Sequence, residues 1–200
     1  GIRCRLLFTM TTAEKIRSEA RTLLDGEGAE GVTMRRVASA VGITPMALYR
    51  HYANRDGILN ALADEGFVEL ASSLHGLKLR GGYERQLLKV LDVFLDFAFE
   101  RPRLFELMFL TKREGARQFP QDFRARRSPT ANVSADVLAR GMEEGSFAKD
   151  DVWEIVFETG AMLQGLVMLY LGGRMTLTQE EFRRFCHRSF TRYMNGIRSK

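Results

Sequence analysis

Residues 33–56, TMRRVASAVGITPMALYRHYANRD, decide how this chain is read, because they hold two short helices separated by a tight turn. Thr33 is a residue type whose hydroxyl accepts a hydrogen bond from a free amide in the first turn of a helix. Met34, Val37, Ala38 and Val41 follow at helical spacing and give one apolar face, and Gly42 supplies the left-handed residue at which helices end. Thr44 is a second N-cap. Pro45 follows it, where a missing amide hydrogen costs nothing and a fixed φ favours initiation. The spacing predicts a short helix from Pro45, bounded by Asn54, which caps the next one. Ile43 and Leu48 anchor it inward and leave Thr44, Met46, Ala47, Tyr49, Arg50 and His51 on its other sides.

A helix of this composition fits the major groove of DNA. Thr, Arg or His reach base edges there, and Ala or Met contacts a thymine methyl group. Tyr49, His51 and Arg55 are placed for phosphates, as are the amides at the helix starts near Thr33 and Asn54. Taken singly, Tyr49 and Tyr52 read as packing aromatics and the arginines as a solvated surface. The conjunction of caps, turn and hydrogen-bond donors is what points to DNA.

The run from about Thr12 to Phe67, most clearly TMRRVASAVGITPMALYRHYANRDGIL, resembles the DNA-binding domain of the tetracycline-repressor (TetR) family of bacterial transcriptional regulators. The resemblance rests on the helix entered at Thr33, on Val37-Ala38 followed by Val41-Gly42, on Leu48-Tyr49-x-His51-Tyr52, and on Asn54-Arg55 opening a fourth helix. Where the family usually has Phe and often Lys, this chain has Tyr52 and Arg55, which keep an aromatic and a cation. The resemblance implies that Thr33, Arg35, Thr44, Met46, Ala47, Tyr49, His51 and Arg55 face DNA, with Tyr49, His51 and Arg55 on phosphates. Base reading would fall mainly to Arg35, Thr44, Met46, Ala47 and Arg50.

Composition agrees with this reading without deciding it. Two hundred residues suit one small DNA-binding domain and one larger domain, and a formal charge of +5 favours an anionic partner. Cys4 and Cys186 lie far apart, which points to a reducing cytoplasm and no disulfide framework. His51, His75 and His187 are scattered, so a metal site has no local support, and no cofactor is expected. The longest apolar run, 161–171, is interrupted by Gln164, and no membrane span is expected. Residues 1–10, GIRCRLLFTM, read as an N-terminal tail; Leu6, Leu7 and Phe8 are too few for a secretory segment, and Arg3 and Arg5 leave open a basic arm on DNA.

The whole chain reads as all-α, with about nine helices and no strands. A three-helix helix-turn-helix domain covers 11–56, its first helix opened by a Thr11/Glu14 capping box and closed by Gly26 and Gly28. Helix four, 55–75, connects it to a helical ligand-binding and dimerisation domain at 81–200, with the junction at Gly81-Gly82. Leu87, Val90, Leu91, Phe94, Phe97 and Ala98 define an amphipathic helix that stops before Pro102. A short helix follows at 103–110, then a basic segment from Thr111 to Thr130, then a helix starting near Pro120 that Pro129 kinks or breaks. Two more helices, about 150–171 and 178–197, close the chain. The first is apolar on nearly all sides after Thr159 and must be covered all round. By resemblance, this pair forms a four-helix dimer interface, so that two recognition helices read a palindromic double-stranded operator.

For sensing, Phe94, Phe97, Phe105, Met108, Phe109, Trp153, Phe157, Met162 and Met168 are the large, soft residues that line apolar ligand sites, each equally at home in a core. Gln164 is the lone polar side chain in its run and needs a partner, either a ligand or a neighbouring helix. The stretch Phe97-Ala98 through Pro102-Arg103-Leu104-Phe105 and Leu107-Met108-Phe109 resembles a C-terminal subtype common in the family. Where that subtype has a Trp and a His-Gly pair, this chain has Gly160 and Gln164-Gly165. The expected function is a cytoplasmic, ligand-responsive repressor that binds its operator as a homodimer and answers to an unidentified apolar small molecule. The alternatives are an activator, or a regulator with a filled core that answers to a partner protein. An enzyme lacks any constellation at catalytic spacing, Asp150-Asp151 being a helix N-terminal charge pair. A pure protein-interaction module would leave Thr44 through Arg55 unexplained.

Overall fold

The computed structural model describes residues 10–199; the expected tail with Arg3 and Arg5 lies outside them, apart from Met10. Ten α-helices are present among the described residues: α1 (Thr12–Glu27), α2 (Met34–Val41), α3 (Pro45–Tyr49), α4 (Arg55–His75), α5 (Tyr83–Glu100), α6 (Pro102–Phe109), α7 (Gln121–Arg124), α8 (Pro129–Glu143), α9 (Val152–Leu171) and α10 (Gln179–Gly196). A 3-10 turn, Ala29–Gly31, separates α1 from α2. The only extended pairing described is an isolated bridge between Phe147 and Arg198. The count exceeds the expected nine because Pro129 breaks the helix predicted from Pro120 rather than kinking it. Pro129 takes the first position of α8, where its missing N–H is harmless, and the chain before it closes as the single turn α7.

The chain forms two compact units, 1–66 with 101–116, and 67–100 with 117–200. This division differs from a linear split at Gly81-Gly82 in two ways: it falls within α4, and it assigns α6 to the first unit. In that unit Ile16, Ala20 and Leu24 of α1, Val37 and Ala38 of α2, and Leu48 of α3 are buried. Each fully buried Leu or Ile contributes about 2 kcal/mol. α1 packs on α2 and on α6. Gly66 admits α6, because a Cβ there would come within 2.9 Å of Leu104 and closer still to Met108.

In the second unit α5 packs on α8 and α10, and α9 packs on α8 and α10. Leu91 and Leu95, Val137 and Leu138, Leu163 and Val167, and Phe182 and Phe190 are among its core residues. Phe147 sits over Gly141, where a Cβ would lie 2.5 Å from its ring, and Ala148 donates to the carbonyl of Ile197 at 2.8 Å. Cys186 is fully buried, and burial pushes its thiol pKa up to about 12. By length and composition α9 does reach the range of a membrane-crossing helix, a correction to the expectation from Gln164. One interrupting amide is too little to lower a 20-residue helix out of that range. In this fold its Ile155, Val156, Leu163 and Val167 are buried.

The basic segment after Thr111 is held by internal partners. Arg113 donates to Asn60 at 3.1 Å in the first unit. In the second, Arg117 lies 4.6 Å over the Phe67 ring, Arg124 pairs with Asp151 at 2.6 Å, Arg126 with Asp136 at 2.8 Å and Arg127 with Asp122 at 3.0 Å.

Candidate nucleic-acid interface

α2 and α3 are set by three caps. The Thr33 hydroxyl accepts from the amide of Arg36 at 3.3 Å, the Thr44 hydroxyl from that of Ala47 at 3.2 Å, and the Asn54 side chain from that of Gly57 at 2.9 Å. Gly42 ends α2 at φ 77°, a left-handed geometry that a Cβ would strain, and its amide reaches Ser39 at 3.2 Å. Leu48, wholly buried, is the one side chain of α3 that reaches full burial. Four residues of a five-residue helix are therefore left toward the outside or the rim.

Met46 is 71% exposed and Tyr49 50% exposed. Thr44, Arg35, Arg50 and His51 are also exposed, while Thr33 and Ala47 are partly covered. Among the described residues none hydrogen-bonds or pairs with the side chains of Arg35, Tyr49, Arg50 or His51. Leaving a methionine and a tyrosine in water beside unpaired cations forgoes burial energy that α3 could have gained by turning. A surface of two apolar contacts flanked by donors has the make-up of a base-edge and phosphate reader.

Arg55 is placed differently from the other expected contacts. Its Nε donates to the carbonyl of Val32 at 2.8 Å, one terminal nitrogen donates to that of Ala29 at 2.7 Å, and it pairs with Glu30 at 3.1 Å. It staples the start of α4 to the 3-10 turn that delivers α2. Arg36, next to Arg35 and also exposed, is committed to partners of its own chain: it bonds the Gly31 carbonyl at 3.2 Å and both oxygens of Glu27. That pairing raises the Arg36 pKa and lowers the Glu27 carboxyl below its usual range. Arg17 on α1 bonds Tyr52 and Glu65, which raises its pKa, the Tyr52 bond being the largest cause. These three arginines hold the reading surface in place, and the sequence offered little to find them, since their partners lie on other elements.

The residues expected to line a ligand site are divided between the two units. Phe105, Met108 and Phe109 belong to the first unit, where Phe105 and Met108 are buried and the Phe105 and Phe109 rings lie 4.8 Å apart. Phe94, Phe97, Trp153, Phe157, Met162, Gln164 and Met168 belong to the second. There Phe97 is buried, and Phe94 and Trp153 are partly covered, with Arg126 5.8 Å over the Trp153 ring. Phe157 is stacked on Phe119 at 4.3 Å and remains 42% exposed, and Met168 is 50% exposed, so these two face outward. A depression of about 550 Å³ in the second unit is lined by other residues, among them Tyr83, Arg85, Phe147 and Arg198. Among the described residues no group of three or more His, Cys, Asp or Glu side chains is arranged to hold a metal ion.

Comparison with known proteins gives this geometry a family. Residues 16–62 match the bacterial regulatory proteins of the tetR family, and residues 87–193 match the tetracyclin repressor-like C-terminal domain. The chain is similar to the tetracycline repressor protein class A from transposon 1721 of Escherichia coli, 27% identical over 152 residues, which is 72% of this chain and 62% of that protein. It spans between 41% and 62% of the length of the curated relatives it matches. A protein of unknown function from Rhodococcus sp. RHA1 shares the fold, with a TM-score of 0.76 at 20% identity over 95% of this chain and 97% of that one. A putative tetR family transcription regulator from Shewanella sp. PV-4 superposes with a TM-score of 0.71 at 16% identity over 96% and 100% of the two chains. The C-terminal match alone spans more than half of the sequence, and the chain belongs to the tetracycline-repressor family of bacterial transcriptional regulators.

Proposed function

We propose that the protein is a DNA-binding transcriptional repressor that reads a palindromic operator as a homodimer. The observation that carries this reading is the outward face of α3, with Met46 and Tyr49 in water beside Arg50 and His51 on a helix anchored by Leu48. Arg35, Thr44, Met46, Ala47 and Arg50 supply base contacts, and Tyr49, His51 and the amide at Thr33 supply phosphate contacts. Arg55 acts through its carbonyl staple, with any phosphate contact secondary. The test is a gel shift with the intergenic DNA upstream of its own gene. Preference over random duplex is expected, and Tyr49→Ala with His51→Ala should weaken binding about 100-fold, roughly tenfold for each charge- or hydroxyl-mediated contact. Equal affinity for random DNA, or an unaffected double variant, would remove the reading.

The release signal is proposed to be a small apolar molecule taken up by the second unit. The partly covered Phe94 and Trp153 and the buried Phe97 support this, together with the family resemblance. Such a ligand acts only through unequal affinity for the DNA-bound and free states. A thermal-shift screen that raises the midpoint, followed by loss of the gel shift with the same compound, checks it.

A further inference from the structure

We propose that Met46 is an oxidation-sensitive contact in the reading helix: conversion of its thioether to the sulfoxide by hypochlorous acid releases the operator. This rests on the DNA-reading face of α3 and adds a means of regulating it.

The chain has nine methionines, and solvent reaches them very unequally. Met108, Met142 and Met194 are buried, Met10, Met34, Met162 and Met175 are partly covered, and Met168 is 50% exposed. Met46, at 71%, is the most open of them. α3 has no means of drawing it in, because Pro45 and the Thr44 cap fix the start of the helix and Leu48 is the side chain it buries. A dissolved oxidant meets that sulfur first. The thiol of Cys186 offers no competing target, being fully buried with its pKa pushed up to about 12, which leaves almost no thiolate.

The chemistry is a two-electron oxidation of sulfur. An S–O bond forms, the O–Cl bond of hypochlorous acid breaks, chlorine leaves as chloride and the proton passes to water. The apolar thioether becomes a polar group that accepts hydrogen bonds and donates none. Two effects then act against DNA. A thymine methyl offers the sulfoxide no donor, so its oxygen gives up water without replacement. Arg50 stands four residues on, the spacing at which helical side chains are neighbours, and its guanidinium has no partner among the described residues. The sulfoxide oxygen supplies an acceptor on the same chain and draws that donor away from the bases.

The experiment uses the full chain with Cys4→Ser and the upstream intergenic duplex. Limiting hypochlorous acid should lower affinity roughly tenfold or more, the loss expected when a polar group is left unpaired in the contact. The two methionine sulfoxide reductases with dithiothreitol should restore it. Peptide mass mapping should find the Met46 sulfoxide enriched in the protein that fails to shift DNA. Met46→Leu, compared with its own untreated affinity, should be insensitive to the same dose, and Met46→Gln, a polar stand-in, should bind weakly before any treatment. Equal Met46 sulfoxide in shifted and unshifted protein overturns the proposal, whatever Met46→Leu does. So does a Met46→Leu chain that loses affinity as the unchanged chain does, which would move the sensitivity to Met168 or another site. An untreated chain with no preference for the duplex removes the DNA-reading face itself.

Discussion

Two outward faces of this molecule expose large apolar side chains, and their company separates them. On α3, Met46 and Tyr49 stand beside Thr44, Arg50 and His51. On α9, Met168, Leu169 and Leu171 stand in a run, 159–173, with no charge. Exposure alone would mark both as sticky. The hydrogen-bonding neighbours decide what each can hold, because an anionic, edge-patterned duplex rewards donors and a protein face rewards their absence. The comparison teaches that an exposed methionine has no meaning until its surroundings are read.

The same substitution at the two exposed methionines is the sharpest way to break that contrast. Met168→Lys should weaken self-association about 100-fold or more, since an unpaired ammonium taken from water costs several kcal/mol. Met46→Lys should instead raise affinity for any duplex and reduce discrimination between sequences, leaving the dimer intact. Sedimentation and competition gel shifts on both variants check this, and matching responses would dissolve the distinction. A smaller effect is expected at the staple beneath α2. Arg55→Met should lower stability by about 2 kcal/mol, the cost of stripping donors from two partly covered carbonyls. Urea unfolding measures it, and an unchanged midpoint would return Arg55 to the role of a plain phosphate contact.

The smallest effect concerns acid, and it compares one helix from each unit. Thr11 with Glu14 and Thr178 with Glu181 form capping boxes at α1 and α10. In each, the backbone amide of the threonine, then its hydroxyl, holds the glutamate pKa below the usual carboxylate range. A carboxylate with a lowered folded pKa contributes stability that is present above its unfolded value and is lost as pH falls through the lowered one. Glu14→Gln and Glu181→Gln should each flatten the acid limb of a thermal-midpoint profile by slightly lowering the neutral plateau toward the value the unchanged chain reaches in acid. An identical acid limb in either variant removes that box from the account.

Local chemistry was legible in the sequence, and long-range assignment was not. The caps at Thr11, Thr33, Thr44 and Asn54, the glycine stop at Gly42 and the span of α4 all follow from residues within a turn of each other, and the structure has them where they were expected. The staple made by Arg55 was not legible, because its carbonyl partners at Ala29 and Val32 lie more than twenty residues away. The placement of Phe105 and Met108 in the first unit was not legible, because periodicity shows which residues share a face and says nothing of which core receives it. α6 enters the first unit through the absent side chain of Gly66, a determinant invisible in α6 itself. The sequence leaves a kink or a break open at Pro129, and the residues before it, with Arg126 at φ 57°, decide for the full break.

The internal pairing of the arginines after Thr111 has a consequence for how the protein gives up ions. A cation that already holds a carboxylate keeps few mobile anions to itself and attracts little of the cloud around a polyelectrolyte. The formal +5 therefore says little about how many condensed ions leave a duplex when this chain settles on it. That number is set by the few side chains around α3 that have no carboxylate of their own, and a salt titration of binding reads it as a slope.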